Sequence, residues 1–139
     1  MKDLKAADLV REALEASRGA AAPAPPAAGG PARRPGEGWV YRGCNIENAS
    51  YGATNCAERT AFFKAVSEGR RDFRAIAIAG GMEGEEPVDY AYPCGICRQV
   101  MQEFGRGDFV VIVAKSVTDF LEYRLEELLP YGFGGDSIL

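Results

Sequence analysis

The sequence predicts an α/β protein in which a mixed or parallel sheet is covered on both faces by helices. Two observations support this class. Short apolar runs typical of strands alternate along the chain with longer amphipathic segments typical of helices. The runs at 74–80 and 108–115 are almost continuously apolar, as expected for strands that are buried on both faces.

The first predicted element is an amphipathic helix over 3–17, where apolar residues recur at helical intervals and Asp3 is a possible N-cap. The next stretch, 18–38, replaces that pattern with Ala, Pro, Gly and Arg. Proline can neither continue a helix interior nor donate a hydrogen bond in a central strand. We therefore expect 18–38 to be loop or disordered.

The rest of the chain repeats the order strand then helix. Aromatic and β-branched residues predict a strand from Trp39, and an Asn-, Ser- and Gly-rich loop over 45–55 leads to a helix. That helix is predicted from about Cys56 to Ser67, with Asn55 as its cap. The predicted elements that follow are a buried strand at 74–80, an acidic loop, a helix at 94–104, a buried strand at 108–115 and a helical segment at 116–130.

Length and charge narrow the class of ligand. At 139 residues the chain is expected to form one domain over 1–139. The net charge is -4, whereas nucleic-acid-binding proteins usually carry a basic face, so we expect a small-molecule ligand and no nucleic-acid partner. No apolar run approaches the roughly 20 residues that span a bilayer. We expect a cytoplasmic protein with no membrane partner.

Four cysteines and the absence of histidine define the candidate site. In a reducing compartment, cysteines are more often metal ligands or catalytic groups than disulfides. Without histidine, a metal site must use Cys, Asp or Glu. A proton shuttle near neutral pH must then be a perturbed carboxylate or thiol.

Three of the cysteines stand where helices are predicted to begin. Cys56 opens one helix, and Cys94 and Cys97 form a C-x-x-C pair that opens another. The partial positive charge at a helix N-terminus favours the thiolate that zinc binds. Two helix starts at the carboxyl edge of a sheet could place three thiolates around one zinc ion and leave the fourth tetrahedral position open, as in catalytic sites.

Glu58 and Arg59 follow Cys56 on the first turn of its helix. Glu58 can reach the open position and transfer protons between water and a substrate. Three thiolates exceed the charge of one zinc ion, and Arg59 would offset the excess by donating to the sulfurs. Two structural alternatives stay open: Cys44 could complete a closed four-cysteine site, and Glu58 with Arg59 could belong to a solvated helix face.

Two blocks of the sequence resemble one enzyme family. The block "CNIENASYGATNCAERTAFFKAVSEG", followed by "PCGICRQVMQEF", closely resembles the small homotetrameric cytidine deaminases that hold zinc with three cysteines. The resemblance is strong from Trp39 to about Phe104 and looser in the ending "LLPYGFGGDSIL". It implies a three-layer α/β/α sandwich around a mixed, five-stranded central sheet, and a homotetramer.

The resemblance assigns zinc and the proton shuttle to residues that the pattern already singled out: Cys56, Cys94, Cys97 and Glu58. Asn45 and Glu47 match the family's pair that hydrogen-bonds the ribose hydroxyls. An amide and a carboxylate suit vicinal hydroxyl groups, because together they can donate and accept hydrogen bonds. Tyr51 and Phe133 match positions that reach a neighbouring subunit's site. The alternative for these two aromatic side chains is packing in the core.

The implied activity is zinc-dependent hydrolytic deamination of cytidine and deoxycytidine to uridine and deoxyuridine, a reaction of pyrimidine salvage. One alternative is a deaminase of the blasticidin-S type, which shares the motif. A catalytically impaired, zinc-binding scaffold is another, because the stretch 18–38 replaces a family block that supplies the first strand and an aromatic side chain beside the base. The sequence therefore predicts a missing strand and a missing pocket wall.

Overall fold

The computed structural model describes residues 6–19, 26–29, 40–69, 73–80, 89–105 and 108–135. These residues form a five-stranded sheet and its flanking helices. The strands are β1 (Pro26–Gly29), β2 (Tyr41–Cys44), β3 (Ala75–Ala79), β4 (Val110–Ser116) and β5 (Asp119–Arg124). The helices are α1 (Ala6–Gly19), α2 (Ala57–Ser67), α3 (Gly95–Gly105) and α4 (Leu125–Leu128), with a short 3-10 helix at Tyr51–Ala53.

The sheet is mixed, with the strand order β2-β1-β3-β4-β5. Strands β3 and β4 are parallel, and all other neighbouring pairs are antiparallel. Alternate residues of β3 enter two different hydrophobic clusters: Ile76 and Ile78 pack with residues of α2 and α3, whereas Ala75, Ala77 and Ala79 pack with residues of α1. The predicted α/β sandwich is confirmed, because helices cover both faces of the sheet.

The prediction that 18–38 contains no regular structure is wrong for the part that the structure describes. Residues 18 and 19 belong to α1, and Pro26–Gly29 forms β1, which lies between β2 and β3. Pro26 is the first residue of this strand, a position where the missing N–H of proline is tolerated. Backbone pairing with β2 on one side and with β3 on the other holds this segment as a strand, although its side chains are not typical of a strand. The rest of this stretch, with the N-cap predicted at Asp3, lies outside the described residues.

The prediction of a helix over 116–130 is also wrong for most of its length. A turn after Ser116 reverses the chain, and β5 then pairs antiparallel with β4, with Val110 opposite Arg124. Phe120 packs towards the cluster beneath α1 and Tyr123 towards the opposite cluster. Only Leu125–Leu128 of this stretch is helical, because Asp119–Arg124 forms backbone hydrogen bonds with the edge of β4. Among the described residues, no helix has the length and apolar character needed to cross a membrane.

Strand β2 and helix α2 touch through their backbones at Gly43. A Cβ atom added to Gly43 would lie 2.2 Å from the carbonyl oxygen of Ala57 and 2.6 Å from the amide nitrogen of Ala61. Only glycine permits this approach. The contact fixes the first turn of α2 directly above the end of β2, where the candidate site lies.

Candidate active site

Three thiols converge where two helices begin. Cys56 is the N-cap of α2, Cys94 directly precedes α3, and Cys97 lies in the first turn of α3. Their sulfur atoms all lie within 4.8 Å of one another, and the Cys56 and Cys94 sulfurs are 3.8 Å apart. A tetrahedral zinc ion with Zn–S bonds of about 2.3 Å requires sulfurs about 3.8 Å apart, so the donor set fits zinc.

Cys44 does not join this cluster. It ends β2, and its carbonyl oxygen accepts a hydrogen bond from the Thr60 hydroxyl. Within the described part of the chain, the only group of candidate metal ligands consists of the other three cysteines. The four-cysteine alternative is therefore not supported.

The pKa values of two of these thiols shift in opposite directions. Burial raises the pKa of Cys97, and the nearby charge of Glu58 raises it further. Burial also acts to raise the pKa of Cys94, but hydrogen bonds from the backbone and thiol of Cys97, the thiol of Cys56 and the backbone of Ile96 together outweigh it, so the pKa of Cys94 is lowered. A cation bound among the sulfurs favours the deprotonated form of each.

Glu58 is a buried carboxylate beside the thiols. It lies in the first turn of α2 and is 7% exposed. Burial raises its pKa, against the opposing effects of its own backbone N–H, the Cys97 thiol and the charge of Arg59. The other buried carboxylate of the described residues, Glu12, is paired with Arg42. The solvated-face alternative is therefore wrong for Glu58, which has the environment of a group that carries protons.

Arg59, the residue directly after Glu58, also contacts the cluster. Its Nη2 atom donates to the Cys56 sulfur and to the Thr54 carbonyl oxygen, each at 3.4 Å. The hydrogen bond to Cys56 is the main reason that the pKa of Arg59 is raised. Its Nε atom is buried and has no hydrogen-bond partner. Arg59 therefore donates to a sulfur of the cluster and is not part of a solvated face.

Asn45 supplies the hydrogen bond at the start of α2 that the sequence assigns to Asn55. The N-cap position belongs to Cys56, whose side chain makes no capping bond, and the amide of Ala57 donates to Asn45 Oδ1 at 2.8 Å. Asn55 instead pairs with Ile46 through its backbone. The prediction of Asn55 as cap fails because a side chain distant in sequence reaches the helix start first.

Glu47, Tyr51 and Phe133 lie on the surface near these elements. Tyr51 is 89% exposed and Phe133 is 58% exposed, which excludes packing in the core of this chain. Glu47 is exposed in the loop after Asn45. Gln99, on the helix that carries Cys97, donates to the carbonyl oxygen of Phe133 at 2.8 Å. The helix that carries Cys97 therefore also holds the segment that bears Phe133.

Residues 4–113 match the family model for the cytidine and deoxycytidylate deaminase zinc-binding region. The chain belongs to this family. The cofactor of this deaminase is zinc, since the family is defined by a zinc-binding region and the three thiols fit that ion.

Curated relatives cover most of this deaminase. A cytidine deaminase of Halalkalibacterium halodurans is 47% identical over 130 residues, which span 94% of this chain and 95% of the relative. A blasticidin-S deaminase of Bacillus cereus is 30% identical over 104 residues, spanning 73% of each protein.

Solved structures share the fold of this deaminase. The crystal structure of a cytidine deaminase from Burkholderia pseudomallei superposes with a TM-score of 0.77 at 38% identity, covering 93% of this chain and 99% of that one. The cytidine deaminase of Mycobacterium tuberculosis superposes with a TM-score of 0.65 at 33% identity, covering 89% and 93% respectively.

Two residues of this deaminase that contact the site, Arg98 and Thr60, were not predicted from the sequence. Arg98 donates to the carbonyl oxygens of Pro93, at 2.8 Å, and Leu128, at 2.6 Å, and so fixes the turn before Cys94 against α4. Its place directly after the C-x-x-C pair was the available signal. Thr60 bonds to carbonyl groups on both β2 and α2. No sequence pattern indicates the contact with β2, because it depends on tertiary packing.

Proposed function

We propose that this protein catalyses the hydrolytic deamination of cytidine and deoxycytidine, releasing ammonia and giving uridine and deoxyuridine, as a cytoplasmic enzyme of pyrimidine salvage. The observation that carries the proposal is the buried carboxylate of Glu58 beside three thiols that fit zinc, in a chain of a zinc-binding deaminase family. Zinc-dependent deamination uses these two features together.

Cys56, Cys94 and Cys97 would hold the zinc ion. When bound, zinc supplies a Lewis acid that lowers the pKa of a water molecule and makes it a nucleophile near neutral pH. Arg59 would keep the Cys56 sulfur oriented and offset its charge, since its guanidinium already donates to that sulfur.

Glu58 would carry the protons of the reaction. We expect its carboxylate to accept a proton from the attacking water and deliver it to N3 of the base. It would then transfer the proton of the hydroxyl group newly bonded to C4 to the leaving amine, so that C4 becomes a carbonyl and ammonia departs. Burial supports this role in two ways: it keeps bulk water from the carboxyl group, and it raises the pKa so that the group can hold a proton between transfers.

Asn45 and Glu47 would bind the sugar. The backbone N–H of Ala57 donates a hydrogen bond to Oδ1 of Asn45 and so fixes this side chain. The NH2 group of Asn45 takes no part in that bond and is a hydrogen-bond donor. Glu47 is exposed and offers acceptor oxygens. A fixed donor and a neighbouring acceptor suit the vicinal hydroxyl groups of a ribose.

We expect the 139 residues to act as one domain in a homotetramer, with Tyr51 and Phe133 reaching a neighbouring subunit's site. Support comes from the exposed large apolar side chains, which include Ile46, Tyr51, Ile96, Tyr131 and Phe133. Exposed apolar side chains that form a contiguous patch commonly mark protein interfaces. Light scattering of the purified protein, which should give four times the mass of one chain, tests this expectation.

The blasticidin-S type of substrate is the second candidate, and the similarity to the Bacillus cereus enzyme favours it. The impaired scaffold loses its main support, since that alternative depended on a missing strand and β1 is present. Loss of ultraviolet absorbance on mixing zinc-loaded protein with cytidine or with blasticidin S separates the candidates. Turnover of blasticidin S alone would replace the first proposal, and turnover of neither would refute both.

A further inference from the structure

The loop at 45–56 carries the residues that we propose to bind the sugar. It leaves β2 at Asn45 and reaches α2 at Cys56. Two backbone hydrogen bonds between Ile46 and Asn55, of 2.8 and 2.9 Å, close the neck of this loop. Glu47 lies inside the closed loop, so the position of the neck sets the distance from Glu47 to the metal cluster.

One hydroxyl group joins this neck to the elements on either side. Thr60 Oγ1 accepts from the side-chain amide of Asn55 at 3.0 Å. It lies 2.9 Å from the Cys44 carbonyl oxygen and 3.2 Å from the Cys56 carbonyl oxygen, to which it can donate. Threonine in a helix often bonds to the carbonyl four residues earlier, which accounts for the Cys56 contact alone. The contacts to Cys44 and Asn55 reach outside the helix and use both the donor and the acceptor capacity of the hydroxyl.

Thr60 reaches these partners because β2 and α2 are in backbone contact. The approach at Gly43 brings the end of β2 within range of a side chain as short as threonine. Thr60 is itself partly buried, so water competes only weakly for its hydrogen bonds. Thr60 therefore joins the neck, which the two backbone hydrogen bonds close, to β2 and to α2.

We infer that Thr60, together with Asn55, is a positioning residue that determines recognition of the sugar hydroxyl groups. The inference rests on the proposed function, since it assumes that Asn45 and Glu47 bind the sugar. Glu58 is buried in the first turn of α2, whereas Glu47 is exposed in a loop. Loss of the Thr60 hydroxyl should therefore displace Glu47, the sugar contact inside the loop, while the cluster, Glu58 and the Asn45 side chain bonded to α2 stay in place.

The test compares Thr60→Val, which is isosteric, with Thr60→Ser, which keeps the hydroxyl. The substrates are cytidine and 2′,3′-dideoxycytidine, which lacks both sugar hydroxyls. For Thr60→Val we expect kcat/KM for cytidine to fall about tenfold, mainly through KM, as for loss of one or two hydrogen bonds. For dideoxycytidine the change should stay within about threefold. Thr60→Ser should keep the wild-type ratio between the two substrates.

Product binding gives a readout that needs no turnover. Calorimetric titration of Thr60→Val should show about tenfold weaker binding of uridine and little change for 2′,3′-dideoxyuridine. Zinc content should stay at the wild-type level in both variants. Thr118→Val is the matched control, because the Thr118 hydroxyl, in the turn between β4 and β5, contacts only the Ser116 hydroxyl within the described part of the chain. Thr118→Val should keep the wild-type ratio of kcat/KM between cytidine and dideoxycytidine, and the wild-type ratio of affinity between uridine and dideoxyuridine.

Equal losses on both substrates, loss of zinc, or a Thr60→Ser variant as impaired as Thr60→Val would each overturn the inference, since each indicates a merely structural role. If Thr60→Val does not fold, Asn55→Leu decides the question: it removes the side-chain amide that donates to Thr60 Oγ1, and it should likewise lower kcat/KM more for cytidine than for dideoxycytidine. A wild-type protein inactive on cytidine would refute the proposed function and the inference with it. An active wild type with an unchanged ratio in the variants would refute the inference alone.

Discussion

Gly43→Ala tests whether the contact between β2 and α2 builds the zinc site. The new Cβ atom would lie 2.2 Å from the Ala57 carbonyl oxygen, whereas ordinary contacts begin near 3.4 Å. The backbones must therefore separate by about 1.2 Å, the difference between these two distances, because neither contacted atom belongs to a flexible side chain. We expect a loss of about 3 kcal/mol in the free energy of unfolding, at the upper end of the range for overpacked interiors.

The same displacement should weaken zinc binding, because Cys56 caps the helix that is pushed away. We expect zinc affinity to fall roughly 10- to 100-fold, as for changes in groups that orient metal ligands. Urea denaturation at a fixed zinc concentration measures the stability, and competition with a zinc-binding dye measures the affinity.

Gly52→Ala is the matched control for this experiment. Gly52 lies in the loop at 45–56, and a Cβ atom added there meets nothing within 4 Å. This variant should stay within about 0.5 kcal/mol of wild type and keep its zinc affinity. If Gly43→Ala proved as stable as Gly52→Ala, the reasoning from backbone contact would be refuted.

Four further predictions follow from the structure. Glu58→Gln should keep zinc and stability but lose more than the roughly 10²- to 10⁴-fold that is usual for general acid–base catalysis, since one group serves several proton transfers; steady-state kinetics with near wild-type turnover would contradict that role. Cys97→Ala should lose zinc by elemental analysis, whereas Cys44→Ala should retain it. Glu12→Gln should lower the free energy of unfolding by about 1–2 kcal/mol in urea denaturation, a value reduced because the Arg42 partner is partly exposed. Hydrogen exchange should show protected amides in β1, and exchange at the rate of an unfolded chain would argue against that strand.

The sequence by itself determined the chemistry at the metal cluster. The spacing of Cys56, Cys94 and Cys97 at two helix starts, with no histidine available, left few ways to bind a metal, and the structure confirms that the three thiols converge. Helix starts can be read approximately from the local sequence, because apolar periodicity depends on residues within a few positions of one another, whereas the side chain that caps α2, Asn45, is not local. The buried strands β3 and β4 were equally evident, since continuous apolar runs need no partner to be recognised. The roles of Asn45, Glu47, Tyr51 and Phe133 stay predictions.

Only the tertiary structure decided the rest, and in each case the reason is contact between separate segments of the chain. Pro26–Gly29 lacks the side chains of a strand but lies between β2 and β3, where backbone hydrogen bonds on both sides hold it. Asp119–Arg124 was predicted to be helical from its residue types, but it pairs with the edge of β4 and becomes a strand of the sheet. Thr60 has no motif of its own, and its contacts exist because β2 and α2 meet at Gly43. Such interactions depend on which segments become neighbours, and no local pattern records that.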